Sequence, residues 1–406
     1  MADFARSADP AVQAELDRLH KLSPGADVLG LDRILRLLDA LGRPQDRLPP
    51  VLHVAGTNGK GSTCALLRAG LEAAGYRVHV FTSPHLVRFN ERIRIAGDLI
   101  TDPELADVLR EVREASDDIG PSFFEATTAA AFLAFTRHDA DACVVEVGLG
   151  GRLDATNVLE RPLVCGIASV GRDHEQFLGS DIVGIAAEKA GIARTGVPLV
   201  SLAQPEAAEA AIVRAAAVAE APLLLERRDW TPDSSLVPAL PGAWQVRNAN
   251  LAWQMLQAQT ALPVTIEQFR KGLAAASWPA RFQRLADGPL TNGIETWIDG
   301  AHNPDAAAAL ASLLANRDPM HLVLGILANK NAGRIVELLA PHAATLTFVP
   351  VPDHPHHDPA TLADRFGGRS AASLESALGP LPPSRLIVGS LYLASEALAR
   401  NGEQPD

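Results

Sequence analysis

The stretch that decides the fold is His53-Val54-Ala55-Gly56-Thr57-Asn58-Gly59-Lys60-Gly61-Ser62-Thr63. An apolar run, Val51 to Ala55, breaks into three glycines, a lysine and hydroxyl side chains. A run of helical character, Cys64 to Ala74, follows. Strand, glycine loop, lysine and helix form the layout of a phosphate cradle. Glycines let backbone N–H groups close on phosphates, the helix start adds positive potential, and lysine reaches the outer phosphates. The usual loop places its hydroxyl directly after the lysine. Here Gly61 stands between Lys60 and Ser62. An ordinary strand-to-helix turn is the competing reading.

Working outward, apolar runs alternate with Ala/Leu-rich helical stretches. Residues 51–55, 78–82, 143–147, 163–169 and 197–202 read as buried strands. They are continuous rather than alternating, as expected of parallel strands covered on both faces. The pattern is a doubly wound α/β domain with a phosphate loop. Arg92-Ile93-Arg94-Ile95, a turn at Gly97-Asp98, and Leu99-Ile100 read as a small inserted hairpin. After Trp278-Pro279-Ala280-Arg281 the order restarts, with strands expected at 296–299, 322–326, 345–351 and 385–388. Two domains are therefore expected, residues 1–284 and a smaller Rossmann-like α/β domain over 285–406. A cleft between them is the expected active site.

The chain has 406 residues, 47% hydrophobic and 21% charged, a globular composition. Its formal net charge of −12 argues against a nucleic-acid surface, which needs a basic face. Cys64, Cys143 and Cys165 lack metal-like spacing. No stretch reads as a signal peptide or membrane span, so a cytoplasmic enzyme is expected.

Several polar residues fall just past strand ends, where open α/β sheets bind ligands. Ser83 follows the second strand, although Ser-Pro is also a common turn. Glu146 lies inside an apolar strand, where a carboxylate must be paired or bind a metal. His174 follows the fourth apolar run. On the helical stretch 181–194, Lys189 falls on the stripe of Ile182, Ile185 and Ala186. A buried lysine has a lowered pKa and can react with carbon dioxide as the neutral amine. Read from the residues alone, snorkelling or pairing with Glu188 is favoured. Asp299 closes the first strand of the second domain. Asn303-Pro304 suits a helix cap.

Together these segments resemble folylpolyglutamate synthase, in particular the bacterial form that is also a dihydrofolate synthase, with the Mur peptide ligases as more distant relatives. The resemblance runs from Val28–Ile34 through GTNGKGS, TSPHLVRFNERIRI, FFEATTAAAF, VVEVGLGGRLDATN, DHEQFLG, EKAGI, RFQ and DGAHNP to Val388-Gly389-Ser390. It implies an ATP-dependent ligase that adds L-glutamate to 7,8-dihydropteroate and to reduced folates through an acyl phosphate. A monofunctional folylpolyglutamate synthase and a Mur-type ligase for a cell-wall precursor are the alternatives.

By matching position, the resemblance assigns Gly56, Thr57, Asn58, Gly59, Lys60, Gly61 and Ser62 to ATP. It adds Asn248 and Arg281 for phosphates, Asp299 for the nucleoside, and His302 close by. Ser83, Glu146 and His174 match magnesium ligands. Lys189 matches a carbamylated lysine holding a second magnesium, reversing the residue-only preference. Lys60, His174 and Lys189 are then the catalytic candidates. Asp27, Val28, Leu29, Gly30, Phe124, Leu153, Asp154 and Ala155 would take the pterin end. A monomer working without nucleic acid or membrane is expected. Two departures stand out: Ala280 where glycine is usual, and amides in Asn329-Lys330-Asn331 where carboxylates are frequent.

Overall fold

The computed structural model describes residues 5–22, 29–379 and 384–405. The chain forms two compact units. One comprises Met1–Ala239 with Gln245–Ala276, the other Leu240–Trp244 with Ser277–Asp406. The second unit thus starts ahead of the residue 285 expected from sequence. Its first strand, only two residues long, lies before that point and is invisible to periodicity.

The first unit carries eight strands: β1 Val51–Ala55, β2 Val78–Phe81, β3 Ile93–Ile95, β4 Asp98–Leu99, β5 Ala142–Glu146, β6 Val164–Ile167, β7 Leu199–Ser201 and β8 Leu223–Leu225. Their order is β4-β3-β2-β5-β1-β6-β7-β8. From β2 to β8 the pairs are parallel, while β3 and β4 form the antiparallel hairpin at one edge. Strands β1, β2, β5, β6 and β7 are buried at every residue, which explains their largely apolar runs. In the helix Phe123–Phe135 every residue but Phe124 is buried. Its Phe132 and Phe135 each contribute roughly 1.5–3 kcal/mol of burial. Ser122 and Glu125 close its first turn as a capping box.

The three cysteines are buried free thiols, all in this unit. Among the described residues no helix is long and apolar enough to cross a membrane.

The second unit carries β9 Gln283–Arg284, β10 Glu295–Ile298, β11 Met320–Leu324, β12 Ala343–Phe348, β13 Arg369–Ser370 and β14 Ser384–Val388. Their order is β13-β12-β11-β14-β10-β9, parallel except for β9. Asn331 caps the helix Ala332–Leu339 by accepting the Arg334 amide at 3.1 Å. An amide at 331 therefore has a structural job.

Candidate active site

The chain leaves β1 at Gly56 and enters the helix Lys60–Ala73 through Gly59, whose φ is +89°. A Cβ on Gly59 would lie 2.5 Å from Asn248 Oδ1, so conformation and space both demand glycine. The loop is tied sideways to the segment after β6. The Thr57 and Asn58 amides donate to Ser169 O at 2.7 and 3.2 Å. Thr57 Oγ1 donates to Gly171 O at 2.9 Å and accepts the Gly171 amide at 3.0 Å. Thr57 and Asn58 thus shape the loop. The helix ladder starts with the Thr63 amide on Gly59 O at 2.8 Å. The amides of Lys60, Gly61 and Ser62 precede it, at the positive end of the helix.

Lys60 Nζ lies 3.3 Å from Thr57 O and 4.0 Å from Glu146 Oε1. Glu146 ends β5 and is buried; its Oε2 accepts the Ser83 amide at 3.3 Å. Lys189 is 3% exposed, and its Nζ donates to Gly56 O at 2.9 Å. Burial, and then the charge of Lys60, push the Lys189 ammonium down to about 7 against the opposing pull of Asp173 and Asp154. The residue-only reading of Lys189 is corrected on both counts. The side chain points inward, and Glu188 instead pairs with Arg152 at 2.7 Å.

The reason is close packing between the β5 loop and the helix Ile182–Ala190. A Cβ on Gly151 would lie 2.6 Å from Glu188 O and 2.8 Å from Lys189 O. The Arg152 amide donates to Glu188 O at 2.8 Å, and Asn157 Nδ2 to Gly191 O at 3.1 Å. Lys189 therefore reaches the phosphate loop at Gly56, one residue from the Thr57 carbonyl that Lys60 contacts beside Glu146 and Ser83. His174 follows on the Gly171–Asp173 segment with φ +53° and starts the short helix Glu175–Leu178. Among the described residues no three carboxylates, imidazoles or thiols form a ready-made metal cage. One buried carboxylate beside a serine at a phosphate loop nevertheless fits magnesium, a hard ion that keeps water and phosphate oxygens.

The half-buried Phe124 ring sits against Gly148 and 6.1 Å from the Phe81 ring. Leu153, Asp154 and Ala155 follow the same glycine run, with Asp154 and Ala155 buried. Asp154 accepts the Leu149 amide at 2.8 Å and the Thr156 amide at 3.0 Å; burial raises its pKa. Leu29 and Gly30 precede the helix Asp32–Ala40. That helix is joined to Phe123–Phe135 by Arg33 Nε donating to Glu125 Oε2 at 3.0 Å. Asp27 and Val28 lie outside the described residues.

Asn248 lies at the loop, as its contact with Gly59 shows. Sequence reading missed its neighbour Gln245, a fully buried residue three positions earlier on the helix Ala243–Gln257. Gln245 Nε2 donates to Ser62 Oγ at 3.2 Å, and its Oε1 accepts Asn248 Nδ2 at 2.9 Å. Two amide side chains at i, i+3 were the available signal.

In the second unit, Asp299 is buried and receives the Phe282 amide on Oδ2 at 2.8 Å and the Ala301 amide on Oδ1 at 2.7 Å. Burial raises its pKa, and Arg281 opposes this. Arg281 Nη1 donates to Ala280 O at 2.9 Å and approaches Gly300. His302 Nδ1 lies 2.8 Å from Gly300 O. The three residues cluster at the carboxyl end of β10. Ala280, where the resemblance leads one to expect glycine, has φ +55°.

Residues 280–379 match the family model of the Mur ligase, glutamate ligase domain. The chain is 36% identical over 402 residues to folylpolyglutamate synthase of Lacticaseibacillus casei, covering 89% of this chain and 92% of that one. It is similar to E. coli FolC in complex with DHPP and ADP, with a TM-score of 0.85, 30% identity, and 97% of each chain covered. It is also similar to a bifunctional folylpolyglutamate synthase/dihydrofolate synthase with Mn, AMPPNP and L-glutamate bound. There the TM-score is 0.85 at 31% identity, covering 96% of this chain and 97% of that one.

Proposed function

The chain belongs to the folylpolyglutamate synthase family, and from that premise we propose that it is bifunctional, joining L-glutamate to 7,8-dihydropteroate and to the terminal glutamate of reduced folates. It is an ATP-dependent ligase that adds glutamate to folates. In the proposed course, ATP phosphorylates the acceptor carboxylate. The glutamate amine then attacks the acyl phosphate, forming the amide and releasing inorganic phosphate. The observation that carries the site assignment is the contact of two lysines with the loop after β1, Lys189 at Gly56 O and Lys60 at Thr57 O, with Lys60 also facing the Glu146 carboxylate that holds the Ser83 amide.

Gly56 to Ser62 would cradle the phosphates, with Lys60 neutralising the outer ones and Asn248 fixing the loop's far side. Glu146, Ser83 and His174 would hold one magnesium, and Lys189 a second. Magnesium supplies charge neutralisation and Lewis-acid polarisation at the transferring phosphoryl group. Lys189 would serve as a carbamate: its neutral amine forms an N–C bond to carbon dioxide and releases a proton. Its pKa near 7 keeps a large neutral fraction available at neutral pH. Arg281, Asp299 and His302 are assigned to phosphate and nucleoside. Asp27–Gly30, Phe124 and Leu153–Ala155 are assigned to the pterin end. Most of the rate then comes from positioning and charge neutralisation. The enzyme is read as a cytoplasmic monomer acting without nucleic acid or membrane.

The test combines purified protein, ATP, magnesium and glutamate with dihydropteroate or tetrahydrofolate in separate assays. ADP release and a glutamylated product are expected with each acceptor. Turnover with only one would reduce the enzyme to a single activity. Turnover on a UDP-sugar precursor and neither pterin would replace the assignment.

A further inference from the structure

Strand β1 carries a single polar side chain, His53, which is 1% exposed. Its Nε2 lies 2.9 Å from Thr156 Oγ1, across 103 residues of sequence. Thr156 is itself fully buried. Its hydroxyl donates to Asp154 Oδ1 at 2.6 Å. A threonine hydroxyl has one proton, and Asp154 takes it, so the oxygen receives the His53 contact as an acceptor. The imidazole is therefore the Nε2–H tautomer, and the chain of donors runs His53 to Thr156 to Asp154. Burial holds the ring neutral, pushing its pKa down to about 3. Asp154 Oδ2 in turn holds the Leu149 amide at 2.8 Å. The network thus connects the middle of β1 to both ends of the loop from Leu149 to Thr156.

We propose that His53 is a positioning residue for the acceptor site: its Nε2–H orients the Thr156 hydroxyl, which sets Asp154 and with it the Leu149–Ala155 loop. This rests on assigning Leu153–Ala155 to the pterin end. The strand also leads into the phosphate loop at Gly56, three residues later, but the donor chain runs the other way. Loss of the donor therefore acts on the acceptor and spares ATP.

The test is steady-state kinetics on His53→Leu, His53→Gln, Thr156→Val and Thr156→Ser, each checked for an intact thermal transition. Glutamine places an amide donor as many bonds from Cβ as the imidazole Nε2. His53→Leu should raise the KM for dihydropteroate roughly tenfold, the scale of one buried hydrogen bond, with the KM for ATP within about twofold of wild type. His53→Gln and Thr156→Ser should return most of the loss. Thr156→Val should reproduce it, and the double variant His53→Leu/Thr156→Val should be no worse than Thr156→Val alone. Should His53→Leu not fold, the Thr156 pair decides the matter by the same split. Equal rises in both KM values, no rise in either, or a glutamine variant no better than leucine would overturn the proposal. A wild-type enzyme inactive on every pterin acceptor would instead remove the functional assignment, and this proposal with it.

Discussion

Two strand-end loops of this molecule need left-handed backbone and meet that need differently. After β1, the positive φ values fall on Gly56 and Gly59. Before β9, they fall on Ala280 and Phe282, at +55° and +45°. At Gly59 the place of a Cβ is filled by Asn248 Oδ1, so any side chain must displace that buried amide. At 280–282 the demand is conformational, and hydrogen bonds hold it. Gln283 Oε1 receives the Ala280 amide at 2.9 Å, Ala280 O receives the Gly300 amide at 2.9 Å, and Asp299 holds Phe282. Left-handed backbone costs a non-glycine residue on the order of 1–2 kcal/mol, which a few buried hydrogen bonds can offset. The lesson is that a glycine kept for space is irreplaceable, whereas one kept only for φ is replaceable at a modest cost.

The strongest test of the crowded side is Lys189→Ala. It deletes the amine that contacts Gly56 O, and turnover should fall by on the order of 10³-fold with ATP binding retained in calorimetry. Near-normal turnover would mean that the Lys189 contact at Gly56 is only structural. Next is Gly59→Ala, expected to lower kcat/KM for ATP by roughly 10²-fold, because the loop or Asn248 must shift. If that variant keeps wild-type kinetics, the contrast between the loops collapses.

A third effect is read in stability against pH. Burial holds the folded Lys189 ammonium down to about 7, against an ordinary lysine value of 10.5. Between those values the unfolded chain binds the extra proton, so the ligand-free protein should gain stability as pH rises. The slope from this group approaches at most about 1.4 kcal/mol per pH unit, and it vanishes below the folded pKa. Denaturant melts at pH 7, 8 and 9 should show it, and Lys189→Met should flatten it. The smallest effect belongs to the second loop. Ala280→Gly relieves the left-handed alanine and should add about 0.5–1 kcal/mol to stability in the same melts. A loss there would show that the Ala280 methyl, fully buried, matters more for packing than its backbone costs.

Legibility followed range and length. The long interior strands were readable because burial on both faces writes continuous apolar runs. The phosphate loop was readable because its glycines cluster in sequence. The short strands β8, β9 and β13 carry no period to detect, and missing β9 displaced the expected start of the second unit. Lys189 lay on an apolar stripe, yet its inward course depends on Gly151, in the loop after β5, packing against the Lys189 carbonyl. Gln245 on Ser62 and His53 on Thr156 join residues 183 and 103 positions apart, and no local pattern announces such pairs.

The three buried thiols give the first unit a built-in clock. Burial raises the pKa of Cys64 and Cys143, and that of Cys165 to about 12, so the folded chain presents almost no thiolate to an alkylating reagent. Labelling must wait for the surrounding structure to open. Because the helix after the phosphate loop, β5 and β6 each hold one sulfur, counting alkylated sites over time reports which of them opens first, with no engineered probe and no signal from the second unit.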